Sequence, residues 1–237
     1  MCIAICARLL YLIARANWGD YNRMLLRRPR IVLLGMLLVM ASVTCIAPLR
    51  SALLRGMGRS LVSTDSLQHA DVIVLSVDSD GAGVLEAADL VHEHVAERVA
   101  LFADPPDAMD REFMRRGVAY HNAASVSVEQ LHDLGIAVVE VIPRSVAGTV
   151  DESRDLAAWC AERRYHSVVF VSTIDHSRRT ARVLARATQG RDLIVRVRGS
   201  RYSDFDPDAW WQTRTGVRTE IIESEKLLAD LLLHPLS

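Results

Sequence analysis

The stretch SVVFVSTIDHSRRTARVL, residues 167–184, places a continuous apolar run directly before a helical pattern, with a polar cluster at the junction. Residues 167–173 are typical of a strand that is buried on both faces, as strands of parallel sheets are. Residues 176–188 are typical of a helix. A strand that runs into a helix is one half of a β-α-β unit. The stretch therefore predicts a parallel α/β domain, and its polar cluster is a candidate site.

The same alternation of strand and helix continues through the rest of the chain. Four more apolar runs predict strands at 71–77, 98–103, 136–142 and 193–198. A helix is predicted from 149 to about 163, and another from about 216 to 233. Asp206 followed by Pro207 predicts a helix that begins there and includes Trp210 and Trp211. Apolar strands separated by helices predict a three-layer α/β fold with a mainly parallel sheet.

Residues 31–49, IVLLGMLLVMASVTCIAPL, contain no charged side chain. Their 19 residues are long enough to cross a bilayer core of about 30 Å as a helix. One alternative is a buried helix of a soluble domain. Another is a cleaved signal peptide, for which the arginines at 27, 28 and 30 would form the basic region. The run is long for a signal peptide and no A-x-A cleavage site follows it, so we expect one uncleaved N-terminal transmembrane helix.

The arginines predict the orientation of this helix. Six arginines precede the apolar run and three lie between it and residue 60, which favours a cytoplasmic N-terminus. We therefore expect a basic cytoplasmic segment at 1–30, the anchor at 31–49, a juxtamembrane connector at 50–69 and an exported α/β domain at 70–237. The expected location is the inner (cytoplasmic) membrane, with a single pass, a periplasmic or extracytoplasmic domain and the lipid bilayer as a partner.

Charge and cysteine content narrow the possible functions of the exported part. Residues 61–237 carry 19 basic and 28 acidic side chains, so we expect no nucleic-acid partner. Cys160 is the one cysteine of that region, which excludes a disulfide within it. Its apolar surroundings favour a buried thiol over a nucleophile. His92 and His94 diverge on a helix, and the other histidines lack ligand spacing, so we expect no metal site. The sequence names no cofactor.

In a parallel α/β fold the ligand crevice lies at the carboxyl ends of the strands. Three loops reach that edge in this chain, at 76–83, 143–152 and 172–179. Helices begin in these loops, and a helix N-terminus offers free N–H groups and a partial positive charge. The crevice is therefore suited to an anionic ligand.

The polar side chains of these loops predict the roles in the site. His176 would be the acid or base, and Glu152 would orient His176 or activate water. The expected ligand-binding residues are Thr149, Ser172, Thr173, Arg179 and Asp78. Structural alternatives remain open, because TVDE at 149–152 also fits a helix capping box. Asp175 also fits a helix N-cap, and Arg179 could pair with Asp175.

Four features occur in an order that resembles the YdcF/SanA/ElyC-like family of bacterial envelope proteins. They are Ala70-Asp71 at the first strand, TVDE at 149–152, the 172–179 cluster, and a tryptophan pair at 210–211 followed by Arg214 and ESEK at 223–226. The match covers about residues 70–234. The resemblance implies a Rossmann-like α/β fold, an N-terminal anchor and a role in the bacterial envelope. It implies no particular reaction.

The loop at 76–83 departs from the family pattern. The family has a glycine-rich turn there and an arginine in the next helix, whereas this chain has SVDSDGAG followed by Glu86. The acidic residues would repel an anion, and the loop could hold a cation instead. Two hypotheses follow. The protein is an enzyme that acts on a phosphorylated or glycosylated envelope precursor, or it is a non-catalytic module that binds a ligand or supports an envelope assembly.

Overall fold

The computed structural model describes residues 35, 47–103, 105–120, 122–143 and 148–235. Its strands are β1 (Val72–Leu75), β2 (Val99–Ala103), β3 (Val139–Pro143), β4 (Ser167–Ser172) and β5 (Ile194–Gly199). Its helices are α1 (Ala47–Ser60), α2 (Asp80–His92), α3 (Ala108–Arg115), α4 (Ala123–Asp133), α5 (Thr149–Arg163), α6 (Ser177–Thr188) and α7 (Arg214–Leu233). Short 3₁₀ turns lie at Val77–Ser79, Ile174–His176 and Trp210–Gln212.

The five strands form one parallel sheet in the order β3-β2-β1-β4-β5. All five strands were predicted, with bounds that differ by at most three residues. The order runs outward from β1 in one direction and from β4 in the other, so the direction of winding reverses between β1 and β4. This arrangement is Rossmann-like, and it confirms the predicted α/β class.

Helices cover both faces of the sheet. On one face, Ile73 and Leu75 of β1 pack with apolar residues of α2 and α4. On the other face, Val72 and Val74 pack with apolar residues of α5 and α6. The three inner strands β1, β2 and β4 therefore bury both of their faces almost completely, which is the reason for their continuous apolar sequences.

Two helix predictions are wrong in detail. The helix predicted from His176 begins at Ser177, after the 3₁₀ turn. No α-helix begins at Pro207, although Asp206 accepts a hydrogen bond from Asp208 N at 2.8 Å, as an N-cap residue would. Ala209 then has φ −145°, outside the helical region. The tryptophans that follow form the 3₁₀ turn.

The start of the α/β unit lies earlier in the chain than the boundary predicted at residue 70. The compact unit begins at Met57. Leu61 is 1% exposed. Asp65 N donates to Val197 O at 3.1 Å, and Val197 N donates to the Asp65 carboxylate at 2.8 Å. The second half of the predicted connector is therefore part of the domain.

The predicted anchor at 31–49 lies almost wholly outside the described residues. Among the residues that are described, none of the helices combines the length and apolar character that crossing a membrane requires.

Candidate functional site

The candidate site lies where the winding of the sheet reverses. The 3₁₀ turn at 77–79 follows β1, and the 3₁₀ turn at 174–176 follows β4, the neighbouring strand. Side chains from these two turns meet: His176 Nε2 lies 3.6 Å from Asp78 Oδ2. The polar cluster of residues 172–179 and the loop of residues 76–83 thus form one site, at the position where ligands bind in doubly wound sheets.

Three carboxylates surround His176. Its Nδ1 lies 2.7 Å from Asp175 Oδ2, within hydrogen-bonding distance, and 3.6 Å from Glu223 Oε2. Asp78 faces its Nε2. The ring is 16% exposed. The aspartates come from the two 3₁₀ turns and Glu223 from α7, so three elements converge on one imidazole.

The surroundings of His176 change its protonation. Burial by itself lowers the pKa of His176, but hydrogen bonds and charge attraction from Asp175, Asp78 and Glu223 outweigh burial and raise the pKa to about 9. The interaction with His176, at 3.6 Å, lowers the pKa of Asp78. Burial acts to raise the pKa of Asp175, yet its hydrogen bond to His176 keeps that pKa below its ordinary value. At neutral pH the ring is an imidazolium among carboxylates, so it is equipped to donate a proton.

Near His176, Glu223 interacts with two cationic side chains, those of Arg179 and Lys226. Arg179 Nη1 donates to Thr149 Oγ1 at 3.3 Å, and Arg179 Nη2 donates to Glu223 Oε2 at 3.5 Å. Arg179 Nε is also 3.5 Å from Glu223 but lacks hydrogen-bond geometry there. Lys226 Nζ donates to Glu223 Oε1 at 2.7 Å. The contacts of the Arg179 guanidinium are therefore long, whereas the Lys226 ammonium forms a short ion pair with Glu223.

Glu152 and Thr149 are close to the site, but neither forms the predicted capping box. The N-cap of α5 is Gly148, with φ 126°, and a glycine has no side chain that could cap the helix. Glu152 is 2% exposed, and its Oε1 accepts a hydrogen bond from Val77 N at 2.9 Å. It therefore fixes the loop that carries Asp78. Thr149 instead accepts from Arg179.

The two hydroxyl residues at the end of β4 have different surroundings. Ser172 is 1% exposed and donates to Thr173 O at 3.0 Å, so it faces the backbone. Thr173 lines the open cleft beside His176. Asp175 is not the N-cap of α6, because His176 occupies that position and the Asp175 carboxylate bonds the ring instead.

The cleft in front of His176 has a volume of about 780 Å³. Its charged lining comprises Asp78, Asp80, Asp175, His176, Asp204 and Lys226. Tyr202 and Phe205 add aromatic surface. Among the described residues, no group of three or more histidine, cysteine or acidic side chains is arranged to hold a metal ion. The cleft thus combines two cations with four carboxylates in a space that is large enough for a small molecule.

Several backbone N–H groups near the site, which could have bound an anion, already donate hydrogen bonds within the protein. Arg178 N, in the first turn of α6, donates to Leu61 O at 3.0 Å. Val77 N donates to Glu152, and Ile174 N donates to Ser203 Oγ at 3.0 Å. These three N–H groups are therefore not free to bind an anion.

The loop at 76–83 has an unusual backbone. Asp80 has φ 41° and ψ −141°, a conformation that a residue with a Cβ rarely adopts. Glu86, which the sequence suggested as a repulsive charge, is fully buried and pairs with Arg198 at 2.8 Å and Arg201 at 3.0 Å. Its charge is balanced by these arginines, and its role is structural.

Two residues of this arrangement were not among the predicted site residues. Asp175 was interpreted as a cap, and Glu223 was noted only as part of a pattern. A signal for Asp175 was present, since a carboxylate next to a histidine at a strand end is a candidate partner. Glu223 comes from a helix 47 residues after His176, and no local pattern joins the two. Cys160 is buried as predicted, and burial raises its pKa to about 12, so it supplies no thiolate.

Comparisons with known proteins give little further information. No family model and no curated protein matches the sequence. Among solved structures, the chain is similar to the crystal structure of the Aureusimine biosynthetic cluster reductase domain, with 13% identity and a TM-score of 0.28. The match covers 62% of this chain and 54% of that chain, so it spans about half of the reductase domain. A likeness at this level carries no information about activity.

Proposed function

We propose that the protein is a single-pass envelope membrane protein whose α/β domain acts on, or binds, a small anionic or lipid-linked cell-envelope precursor. The observation that carries the proposal is the position of His176, which lies among three carboxylates at the reversal of the sheet and faces a cleft of about 780 Å³. Strongly perturbed titrating groups in clefts are typical of functional sites.

In this proposal His176 is a general acid. Asp175 orients the ring through Nδ1, which leaves Nε2 directed toward Asp78 and the cleft. A ligand oxygen that replaces the long Asp78 contact would receive the Nε2 proton or a charge-assisted hydrogen bond. Arg179 adds positive charge near the ring, because it pairs with Glu223. Glu152 is a positioning residue, because it bonds the backbone of the loop that carries Asp78.

A second candidate function is a non-catalytic module that binds a ligand or supports an envelope assembly. One observation favours it: within the described part of the chain, the side chains that pair with His176 are all carboxylates. A histidine that activates a nucleophile needs a hydroxyl, thiol or water at its free nitrogen. In this second function the imidazolium would only hold an anionic group.

Turnover of a radiolabelled lipid-linked precursor by the purified protein separates the two functions. An enzyme consumes the precursor, whereas a binding module retains it unchanged. Replacement of His176 by alanine should abolish complementation of a knockout strain in a protein that still folds, because little core packing is lost. Full complementation by a stable His176→Ala protein would refute both forms of the proposal.

The envelope location is supported by the sequence of residues 31–49 and by the arginines that precede them. It is supported further by the resemblance to the YdcF/SanA/ElyC-like family. A reporter that is active only in the periplasm, fused after residue 237, should be active. Activity of a cytoplasmic reporter at the same position, with the periplasmic reporter silent, would overturn this location.

A further inference from the structure

Residues 58–65, which we call the strap, contact two parts of the site. The first contact is a close approach at Gly58. A Cβ added at Gly58 would lie 2.3 Å from Pro207 O and 2.7 Å from Trp210 Cδ1, so only glycine fits. Next to it, Arg59 makes a two-pronged ion pair with Asp208, at 2.7 and 3.0 Å. The strap is therefore packed against the segment that follows the cleft residues Asp204 and Phe205.

The second contact is with the first turn of α6, immediately after His176. Arg178 donates from its backbone N to Leu61 O at 3.0 Å and from Nη2 to Val62 O at 2.8 Å. Ser63 N donates to Ser177 Oγ at 2.8 Å, and the same hydroxyl donates to Ile174 O at 2.7 Å. Ser177 is fully buried. Its hydroxyl thus joins the strap to the 3₁₀ turn that carries His176.

We propose that the strap positions His176, and that Gly58, Ser63 and Ser177 are positioning residues of the site. This inference rests on the proposed function in so far as His176 is taken as the functional group. It adds that the site is completed by chain N-terminal to β1, in the segment that the sequence assigned to a connector.

The physical reason is that two of the carboxylates around the ring belong to other elements. His176 Nε2 lies 3.6 Å from Asp78 Oδ2, and His176 Nδ1 lies 3.6 Å from Glu223 Oε2. Arg179 Nε lies 3.5 Å from the same oxygen of Glu223. At such distances a small displacement of the turn changes the charge interactions of the ring. Asp175 moves with His176, because it is in the same turn. The contacts with Asp78 and Glu223, in contrast, depend on where the strap holds that turn.

A matched pair of serine variants of the full chain, in detergent micelles, tests the proposal. Ser177→Ala removes a hydroxyl that donates one hydrogen bond and accepts one. Ser167→Ala removes a comparable hydroxyl at the opposite end of β4, where Ser167 Oγ exchanges hydrogen bonds of 3.0 Å with Asp71. The readout is the pKa of His176 by NMR of labelled histidine. We expect Ser177→Ala to lower it by about one unit and Ser167→Ala to leave it unchanged.

Gly58→Val and Gly56→Val form a second matched pair, two residues apart in α1. A Cβ at Gly56 meets no atom within 4 Å, so the two variants share the change in helix propensity from glycine to valine and differ in the clash at Gly58. Gly58→Val should lower the pKa of His176, and Gly56→Val should not.

An unchanged pKa in both Ser177→Ala and Gly58→Val would overturn the proposal and leave the strap a purely stabilising role. An equal fall in Ser167→Ala would also overturn it, since the site would then respond to any loosening of the fold. Failure of the proposed function would be recognised differently, by full complementation with His176→Ala, which leaves the dependence of the pKa on the strap intact.

Discussion

Two opposing physical effects act on the protonation of His176. Burial favours the neutral ring, and the carboxylates around it favour the charged ring. The carboxylates prevail and raise the pKa to about 9. Because Asp175 is the nearest of them, at 2.7 Å from Nδ1, it should account for much of this increase.

Replacement of Asp175 by asparagine should therefore lower the pKa of His176 toward its ordinary value, by at least about one unit. Titration of labelled histidine by NMR measures the change. The matched control is Asp204→Asn, which removes a carboxylate from the same cleft but none of the carboxylates that pair with the ring. If both variants shift the pKa equally, the value reflects the overall charge of the cleft and not the pairing with Asp175.

The raised pKa also predicts how stability depends on pH. A histidine with a folded pKa above its unfolded pKa binds its proton more tightly when folded. Its contribution is fully present below about pH 6.5 and is lost as the pH rises through about 9. The contribution of His176 should reach at most about 3 kcal/mol. Urea unfolding at pH 6.5 and pH 9.5 should show this loss, and His176→Gln should remove most of it. A pH-independent free energy of unfolding in the unmodified protein would contradict the assignment.

For individual residues, the sequence predicted which residues belong to the site better than it predicted which of them contact one another. The histidine, its neighbouring carboxylate and Arg179 were visible as a cluster, because strand-to-helix junctions concentrate polar side chains at one edge of a parallel sheet. The partners Asp78 and Glu223 lie 98 and 47 residues away from His176. Their approach depends on strand order and on the docking of α7, which no local pattern encodes.

Among the elements, the loop from β1 into α2 is the most sharply constrained. Gly83 lies in the first turn of α2, where an added Cβ would be 2.1 Å from Ser79 Oγ. That hydroxyl is buried and donates to Ser76 O at 2.6 Å. At Gly81, two residues earlier, an added Cβ would meet no atom within 4 Å. The two glycines of one loop thus have different physical roles.

Gly83→Ala should destabilise the protein by about 1–3 kcal/mol, because Ser79 must move and its hydrogen bond is lost. Gly81→Ala should be neutral or stabilising by up to about 1 kcal/mol, since it adds a better helix former without a clash. Midpoints of urea unfolding distinguish the two. Equal destabilisation by both variants would show that loop flexibility, and not the contact with Ser79, explains the glycines.

The elements themselves were largely predictable. Apolar runs predicted all five strands, and the signal was strongest for β1, β2 and β4, because a strand that is covered by helices on both faces has no polar side. Caps were less predictable. The TVDE pattern at 149–152 has the composition of a capping box, yet Gly148 is the N-cap and Glu152 bonds Val77 N instead. Glu152 thus forms a hydrogen bond with a residue that is distant in the chain, and not with the start of its own helix.

For the whole molecule, the question is where the folded unit begins. Residues 57–69 supply the buried Leu61, the strap contacts with α6 and the pairing of Asp65 with Val197. A chain shortened to residues 57–237 should therefore fold without the preceding segment. Removal of residues 57–69 exposes the surface that Leu61 covers, removes the hydrogen bond from Ser63 N to Ser177 Oγ and leaves Val197 N without its acceptor Asp65.

The chain of residues 70–237 should consequently be less stable than that of residues 57–237 by about 3–5 kcal/mol. Loss of a buried leucine accounts for about 2–3 kcal/mol and each lost hydrogen bond for about 1 kcal/mol. Circular dichroism and urea unfolding measure the difference. Equal stability of the two chains would mean that residues 57–69 contribute nothing to the fold.

The sequence by itself determined the α/β class, the positions of the strands and the edge of the sheet at which the polar cluster lies. These follow from periodicity and composition, which act locally and are visible in a single chain. Only the tertiary structure decided that β1 lies beside β4, that Asp78 and Glu223 face His176, and that residues 58–65 hold its turn. Such contacts join residues that are distant in the chain, and their energies depend on distances of a few ångströms that packing alone sets.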